Sequence, residues 1–395
     1  MRNLPYLALL LTILFASTCE KETAGPVETF DQVISRTIFA QDEIKLYDFV
    51  IDEEGAIVVA YNGIDSLDLA EDQVIDSTFI HLRKMDGLGA SRWTRAYPTE
   101  RPAKVYDLLT ALDGGYFLLG SIKMPGTNQR AVLLLKVDGE GELLWRREVA
   151  AGTNSEGFEM AQLPDGGLAI SGNGKLIELD AAGQLLRQTA WPWAVDNFPF
   201  ANGLCPGPEG AVVVCGRGMI AYVDGQPIWE FAYSRDEPDF EQGLLSVCPV
   251  GEALGGGYLG YGYRIMKEGV AWTGVDYLLV RVDASGQVLW EKTFNNSDQD
   301  WGYDIHPGSD GTFVAVGKTV VGNPDAGDYV RVYQFDVDGH VLWTKKIEQS
   351  ISYNFIEPSS ARPYGTDQVV VLYTEMKYWD PQLIAEIRLA KLQME

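Results

Sequence analysis

Apolar residues along the chain fall in short runs separated by Asp and Gly turns, the pattern of β-strands joined by hairpins. One unit recurs. It is a strand-like run, an Asp, a Gly-containing turn, and a second strand that usually carries Trp. It reads Leu82-Arg83-Lys84-Met85-Asp86 to Trp93, Leu134-Leu135-Lys136-Val137-Asp138 to Trp145, and Ile177-Glu178-Leu179-Asp180 to Arg187. It continues as Ala221-Tyr222-Val223-Asp224 to Trp229, Val280-Arg281-Val282-Asp283 to Trp290, and Tyr333-Gln334-Phe335-Asp336 to Trp343. The Asp-to-Trp interval is 7 in four copies and 5 in the fourth copy, while the third copy has Arg187 in place of Trp.

A second signature lies between these units. Tyr106-Asp107 precedes Leu112-Asp113-Gly114-Gly115-Tyr116, Phe158-Glu159 precedes Pro164-Asp165-Gly166-Gly167-Leu168, and Tyr303-Asp304 precedes Ser309-Asp310-Gly311-Thr312-Phe313. Asp-Gly between apolar runs marks a hairpin, because these residues reach positive φ at low cost. Weaker copies sit at Tyr47 to Ala60, Phe200 to Gly216, Leu244 to Gly262 and Phe355 to Tyr373. Each repeat therefore predicts four antiparallel strands, with Asp-to-Asp periods of 52, 42, 44, 59 and 53. Such periods are those of β-propeller blades, in which neighbouring sheets cover each other's faces. The recurrent Trp then reads as packing between blades, with a ligand-stacking platform as the alternative.

The count predicts an all-β, seven-bladed propeller of four-stranded antiparallel blades. Seven hairpins of the second kind occur, but the Asp-to-Trp hairpin is complete only six times. Residues 384–392 begin a seventh and lack a fourth strand. Val33-Ile34-Ser35-Arg36-Thr37-Ile38-Phe39 matches Val288-Leu289-Trp290-Glu291-Lys292-Thr293-Phe294 in register and is expected to supply that strand. The Ala, Leu, Glu and Lys content of residues 383–393 would also allow a helix, and the repeat register favours the strand.

Composition adds address and exclusions. With 31 basic against 56 acidic residues, the net charge of −25 argues against nucleic acid as a partner. Arg2 followed by an apolar run from Leu4 to Ala16 is too short to span a bilayer and suits a signal peptide. The run ends Ala16-Ser17-Thr18-Cys19, which resembles the lipobox of bacterial lipoproteins and departs from it at Thr18, where Gly, Ala or Ser is usual. The resemblance implies lipidation of Cys19, with an ordinary secretory signal as the alternative. Glu20-Lys21-Glu22 is similar to the tether of surface-exported lipoproteins of the Bacteroidota type. The expected organisation is a signal peptide at 1–18, a lipidated tether at 19–30 and one propeller domain at 31–395. Chain-wide, the repeated DGG…KVD..G..W pattern resembles seven-bladed outer-membrane or surface propeller lipoproteins of those bacteria. That resemblance implies a lipid-anchored, outer-membrane location, in some cases beside a TonB-dependent transporter.

Candidate chemistry is sparse. His81, His306 and His340 lie far apart in sequence and in repeat position, which disfavours a metal cluster or a Ser/His/Asp triad. Asp336-Val337-Asp338-Gly339 lacks the later ligands of a calcium loop and reads as a turn. No metal or cofactor is expected. After lipidation Cys205, Cys215 and Cys248 remain, enough for one disulfide at most; all three as buried thiols is the alternative. Tyr47-Asp48, Tyr106-Asp107, Phe158-Glu159 and Tyr303-Asp304 open the innermost strands. Their carboxylates either ring a channel mouth that takes a cation or brace neighbouring blades through hydrogen bonds.

Three functions stay open: a non-catalytic surface protein binding a nutrient or glycan, a scaffold in an envelope complex, and a propeller enzyme acting on glycans or using a quinone. The binding reading places the site on the long connections, rich in aromatics and carboxylates: Trp191, Trp193, Tyr233, Phe240, Trp272, Asp298, Asp300, Trp301, Tyr353 and Trp379.

Overall fold

The computed structural model describes residues 30–39, 48–63, 79–150, 155–190, 203–234, 239–268, 271–294, 299–321, 327–348, 355–379 and 382–394. Strand β1 (Phe30–Phe39) comes first in the chain and belongs to the last sheet. The first antiparallel sheet orders β2 (Asp48–Ile51), β3 (Ile57–Gly63), β4 (Phe79–Met85) and β5 (Ser91–Pro98). The second holds β6 (Ala103–Thr110), β7 (Tyr116–Lys123), β8 (Arg130–Val137) and β9 (Leu143–Val149). The third holds β10 (Glu159–Gln162), β11 (Leu168–Gly172), β12 (Lys175–Leu179) and β13 (Leu185–Ala190). In the fourth are β14 (Leu204–Pro206), β15 (Val212–Cys215), β16 (Gly218–Val223) and β17 (Gln226–Ala232).

An eight-stranded sheet follows, in two halves. One half is β18 (Phe240–Pro249), β19 (Tyr258–Glu268), β20 (Ala271–Val282) and β21 (Val288–Phe294). The other is β22 (Gln299–Pro307), β23 (Phe313–Val320), β24 (Tyr329–Phe335) and β25 (Val341–Glu348), and a single parallel bridge, Val275 opposite Gln299, joins them. The last sheet orders β26 (Phe355–Tyr364), β27 (Gln368–Trp379), β28 (Gln382–Gln393) and β1. The first strands of successive sheets touch in cyclic order, from β2 through β6, β10, β14, β18, β22 and β26 back to β2. Four-stranded antiparallel sheets gathered radially in this way are β-propeller architecture.

The core lies between sheets. One cluster joins Ile57 and Leu82 of the first sheet to Leu118 and Leu133 of the second and to Val370 and Leu389 of the last. Another joins Leu259 and Leu279 to Phe313 and Phe335. Each face of a sheet is thus apolar because a neighbour covers it.

The repeated Asp earns its place through hydrogen bonding. In Asp86, Asp138, Asp180, Asp283 and Asp336, Oδ1 accepts the backbone N–H groups two and four residues on. A register shift follows in the adjoining strand pair, as between Lys136 and Val137. The fourth copy is shorter because Val223 pairs directly with Gln226 across Asp224 and Gly225, both at positive φ (52° and 72°).

The recurrent Trp packs between sheets, against the second turn of the next unit. A Cβ on Gly141 would lie 2.9 Å from Trp93, on Gly183 2.9 Å from Trp145, and on Gly339 2.6 Å from Trp290. Where Arg187 replaces Trp, its stem lies against Gly225 and its guanidinium pairs with Asp224 at 2.8 Å and Glu178 at 3.1 Å.

The expected closure is present. β1 pairs antiparallel with β28, Val33 opposite Arg388 and Phe39 opposite Leu383, with a register shift between Val33 and Ser35. Asp31 accepts from Arg388 and Tyr373, so a side-chain clamp accompanies the backbone ladder. Residues 383–393 are strand, not helix. Alternation of strand direction puts all first and second turns within hairpins at one end of the sheets, here called the turn face. The connections between hairpins and between sheets lie at the other end, the loop face.

Candidate functional site

The innermost strands carry a polar position at a constant register, four residues ahead of the first turn. It is Asp48, Asp107, Glu159, Ser246, Asp304 and Ser360 along the chain, and the fourth sheet has Gly203 there instead. Register shifts between Val105 and Asp107, Leu244 and Ser246, Gly302 and Asp304, and Pro358 and Ser360 immediately precede four of them. Such a bulge re-aims the following side chain, here toward the neighbouring first strand.

These side chains tie neighbouring first strands together on either side of the Gly203 position. Asp48 Oδ2 accepts the Leu108 N–H (3.3 Å), Asp107 Oδ2 that of Met160 (2.6 Å), and Glu159 Oε2 that of Leu204 (3.0 Å). Ser246 Oγ accepts the Ile305 N–H at 3.2 Å and donates to Asp304 Oδ1 at 2.9 Å. Ser360 Oγ donates to Asp304 Oδ2 at 2.6 Å. Of the two sequence readings of the acidic positions, hydrogen-bonded bracing is what these bonds perform.

Arg362 closes the circle. It lies two residues beyond Ser360 and donates from Nη2 to both Asp48 oxygens (3.2 and 3.0 Å) and from Nε to the Phe49 carbonyl (2.5 Å). Its Nη1 lies 3.2 Å from Nδ1 of His306, whose Nε2 is 2.8 Å from Asp304. A guanidinium has no acceptor, so this contact makes Nδ1 the acceptor and assigns the ring proton to Nε2, facing Asp304. Ser246, Ser360 and His306 all converge on the Asp304 carboxylate, and neither hydroxyl bonds the imidazole. A serine nucleophile needs the opposite order, hydroxyl to imidazole to carboxylate. The cluster is a strut.

Its electrostatics are divided. Burial, then the Asp48 carboxylate alongside, pushes the Asp107 carboxyl well above the usual range. Burial, then the charges of Asp107 and Asp304, does the same to Glu159. Burial also acts to raise Asp304, but the His306 ring, the Arg362 guanidinium and the Ser360 hydroxyl outweigh it and hold that carboxyl well below the usual range. For Arg362, the surrounding Asp48, Asp304 and Asp107 outweigh burial and strengthen its hold on the proton.

The sign of the pH effect follows. Asp107 and Glu159 retain protons that the unfolded chain releases near pH ~4, so the stability they contribute is lost as pH rises through their elevated values. Asp304 contributes above that pH, and its share is lost as pH falls. Asp107→Asn keeps an acceptor for the Met160 N–H and removes the titration. Its stability relative to the parent is expected to improve steadily from pH 5 to pH 8 in urea melts. A difference independent of pH would contradict the assignment.

Loop-face aromatics lie on both faces of β19. Trp301 and Tyr263 have ring centroids 5.0 Å apart, and the Arg264 guanidinium lies 5.1 Å from the Phe240 ring. Arg264 is fixed by Gln242 (2.6 Å) and Glu291 (2.9 Å), and Tyr233 meets Phe231 edge-on at 5.6 Å. Tyr233, Phe240 and Trp301 are partly exposed. Asp300 requires correction as a surface group: it is 0% exposed and accepts from Thr319, which also bonds the Tyr277 hydroxyl. Cys19, Trp191, Trp193, Asp298, Tyr353 and Tyr47 lie outside the described residues, as do the side chains of Trp272 and Trp379.

The remaining candidates resolve as structure. Cys205, Cys215 and Cys248 are free and buried, and burial raises all three thiols. His81 stacks on Tyr61 at 5.2 Å. Asp336, Asp338 and His340 bring ligand atoms within 4.8 Å of one another, but Asp336 spends its oxygens on the Asp338 and His340 N–H groups and the His340 ring.

No family model and no curated protein matches the chain. Among solved structures it is similar to polysaccharide lyase Uly1, at 12% identity and TM-score 0.50, over 90% of this chain and 92% of that one. It is also similar to the Pan2 WD40 domain of Neurospora crassa, at 9% identity and TM-score 0.47, over 93% and 98%. A protein of unknown function from Bacteroides caccae matches at 14% identity and TM-score 0.42, over 68% and 90%. At these identities likeness concerns the fold alone.

Proposed function

We propose that the chain is a closed seven-bladed propeller, each half of the eight-stranded sheet being one blade, and that it serves as a lipid-anchored, non-catalytic binding protein of the outer-membrane surface. Its ligand is a nutrient or glycan taken at the loop face, with a transporter or another envelope protein as neighbour. The observation that carries this reading is the asymmetry of the two faces. First and second turns are short and spend their polar groups on themselves. Toward the loop face, Phe240 lies 5.1 Å from the Arg264 guanidinium, which Gln242 and Glu291 hold in place, while on the opposite face of β19 Trp301 packs on the buried Tyr263. Partly exposed rings flanked by fixed polar groups suit sugar or planar ligands.

Two measurements test it. A fatty-acid probe should label the parent chain and leave Cys19→Ala unlabelled, and equal labelling of both would refute the anchor. With a ligand from a glycan and metabolite screen, Trp301→Ala and Phe240→Ala should each lose about 1–2 kcal/mol of affinity, near tenfold, at an unchanged melting temperature. Melting without selective loss of affinity would make these rings packing only.

A further inference from the structure

The polarity of β1 gives the anchored molecule a direction. Phe30 pairs with Lys391 and Phe39 with Leu383, so β1 enters the sheet where β28 ends and runs toward the β27–β28 hairpin. That hairpin belongs to the loop face, and the entry point of β1 therefore lies at the turn face. Resting on the reading of Cys19 as the lipidated residue, we infer that the turn face is the membrane-proximal surface and that the loop face is presented away from the lipid.

Reach supports this orientation. Ten residues separate Cys19 from Phe30. For a tether of that length, random-coil reach would be about 17 Å root-mean-square. The eight-residue strands β6, β7 and β8 set a height of roughly 26 Å between the two faces. Turning the domain over would stretch a tether of that length to roughly three-quarters of its full ~35 Å extent.

The distribution of exposed apolar side chains is an independent sign. Among the described residues, ten of the eleven large exposed apolar residues lie at the turn-face end, and only Phe355 lies at the loop end. Leu112 projects from a first turn at 74% exposure and Leu88 from a second turn. Leu144, Leu186 and Leu342 stand at the starts of outermost strands, beside those turns. A leucine rim at the end where the anchor enters matches a lipid surface. The acidic turns between these leucines, such as Glu140 and Asp138, favour neutral over anionic headgroups.

The test uses the full lipidated chain on phosphatidylcholine vesicles carrying an acceptor-labelled lipid. One donor is attached at Glu140→Cys on the turn face, another at Asn128→Cys on the loop face of the same sheet; both sites are exposed, whereas Cys205, Cys215 and Cys248 are buried. Energy transfer from position 140 should exceed that from position 128 at least twofold. Equal transfer, or the reverse order, from a chain that floats with the vesicles overturns this orientation and leaves the anchor standing. A chain that does not float overturns the anchor and the orientation together.

Discussion

Arg362→Met is expected to destabilise the propeller by about 3 kcal/mol, the lower end for removing one partner of a buried ion pair, because this pair is partly exposed. The variant leaves Asp48 facing Asp107 with no cation between them and removes the donor to the Phe49 carbonyl. It also releases Nδ1 of His306, freeing the ring that steadies Asp304. A fall of about 5 °C in melting temperature corresponds to this loss. Adding Asp48→Asn removes the orphaned charge, so the double variant should recover part of the stability. A double-mutant cycle in urea reads the coupling directly. Strict additivity of the two single losses would show that Arg362 and Asp48 do not act as a pair.

The blade repeat was legible because its chemistry is local. An Asp whose Oδ1 caps two N–H groups of its own turn, a Gly at positive φ and a Trp lying on the next Gly all leave a fixed spacing in the chain. Asp48, Asp107, Glu159 and Asp304 were legible as a set for the same reason, since each follows an aromatic residue. Ser246, Ser360 and Arg362 were not. They follow Leu245, Ser359 and Ala361, so nothing nearby marks them, and they complete the circle only through partners 56 to 314 residues away. The bulges that aim these side chains are also silent in a sequence, because a single extra residue changes no composition. Asp300 was misread because an acidic residue beside Trp301 in a polar stretch looks exposed. Its burial depends on Thr319 and Tyr277, each contributed by a different strand.

The cluster around Asp304 also bears on the choice between enzyme and binding protein. Serine, histidine and aspartate do meet there, but the carboxylate is the hub, and Arg362 occupies the imidazole nitrogen that a nucleophile would need. These groups brace the first strands β18, β22 and β26 against one another and against β2. A rigid axis of this kind would serve the binding site proposed above, since loops carried by a fixed frame hold their geometry. On the proposed reading, recognition falls to the loop face, where Trp301 and Phe240 sit on the strands that the strut holds.

Deleting residues 30–39 is expected to have the largest effect of all, because β1 is the outermost strand of the last sheet. Its removal strips β28 of a ladder that runs from Lys391 to Leu383 and leaves that row of backbone groups as a bare edge. It also removes Asp31, the acceptor for Tyr373 and Arg388, and leaves Arg388 with Glu375 and Glu386. At about 1 kcal/mol for each ladder hydrogen bond, the loss is roughly 5 kcal/mol or more, enough to abolish a single cooperative transition. The exposed edge should also promote association between copies. A synthetic peptide of residues 28–41 added to the truncated chain should restore the melting temperature in a saturable manner, by returning the strand to its place. If the truncated chain melts where the parent does, or if the peptide has no effect on a destabilised one, β1 does not close the propeller.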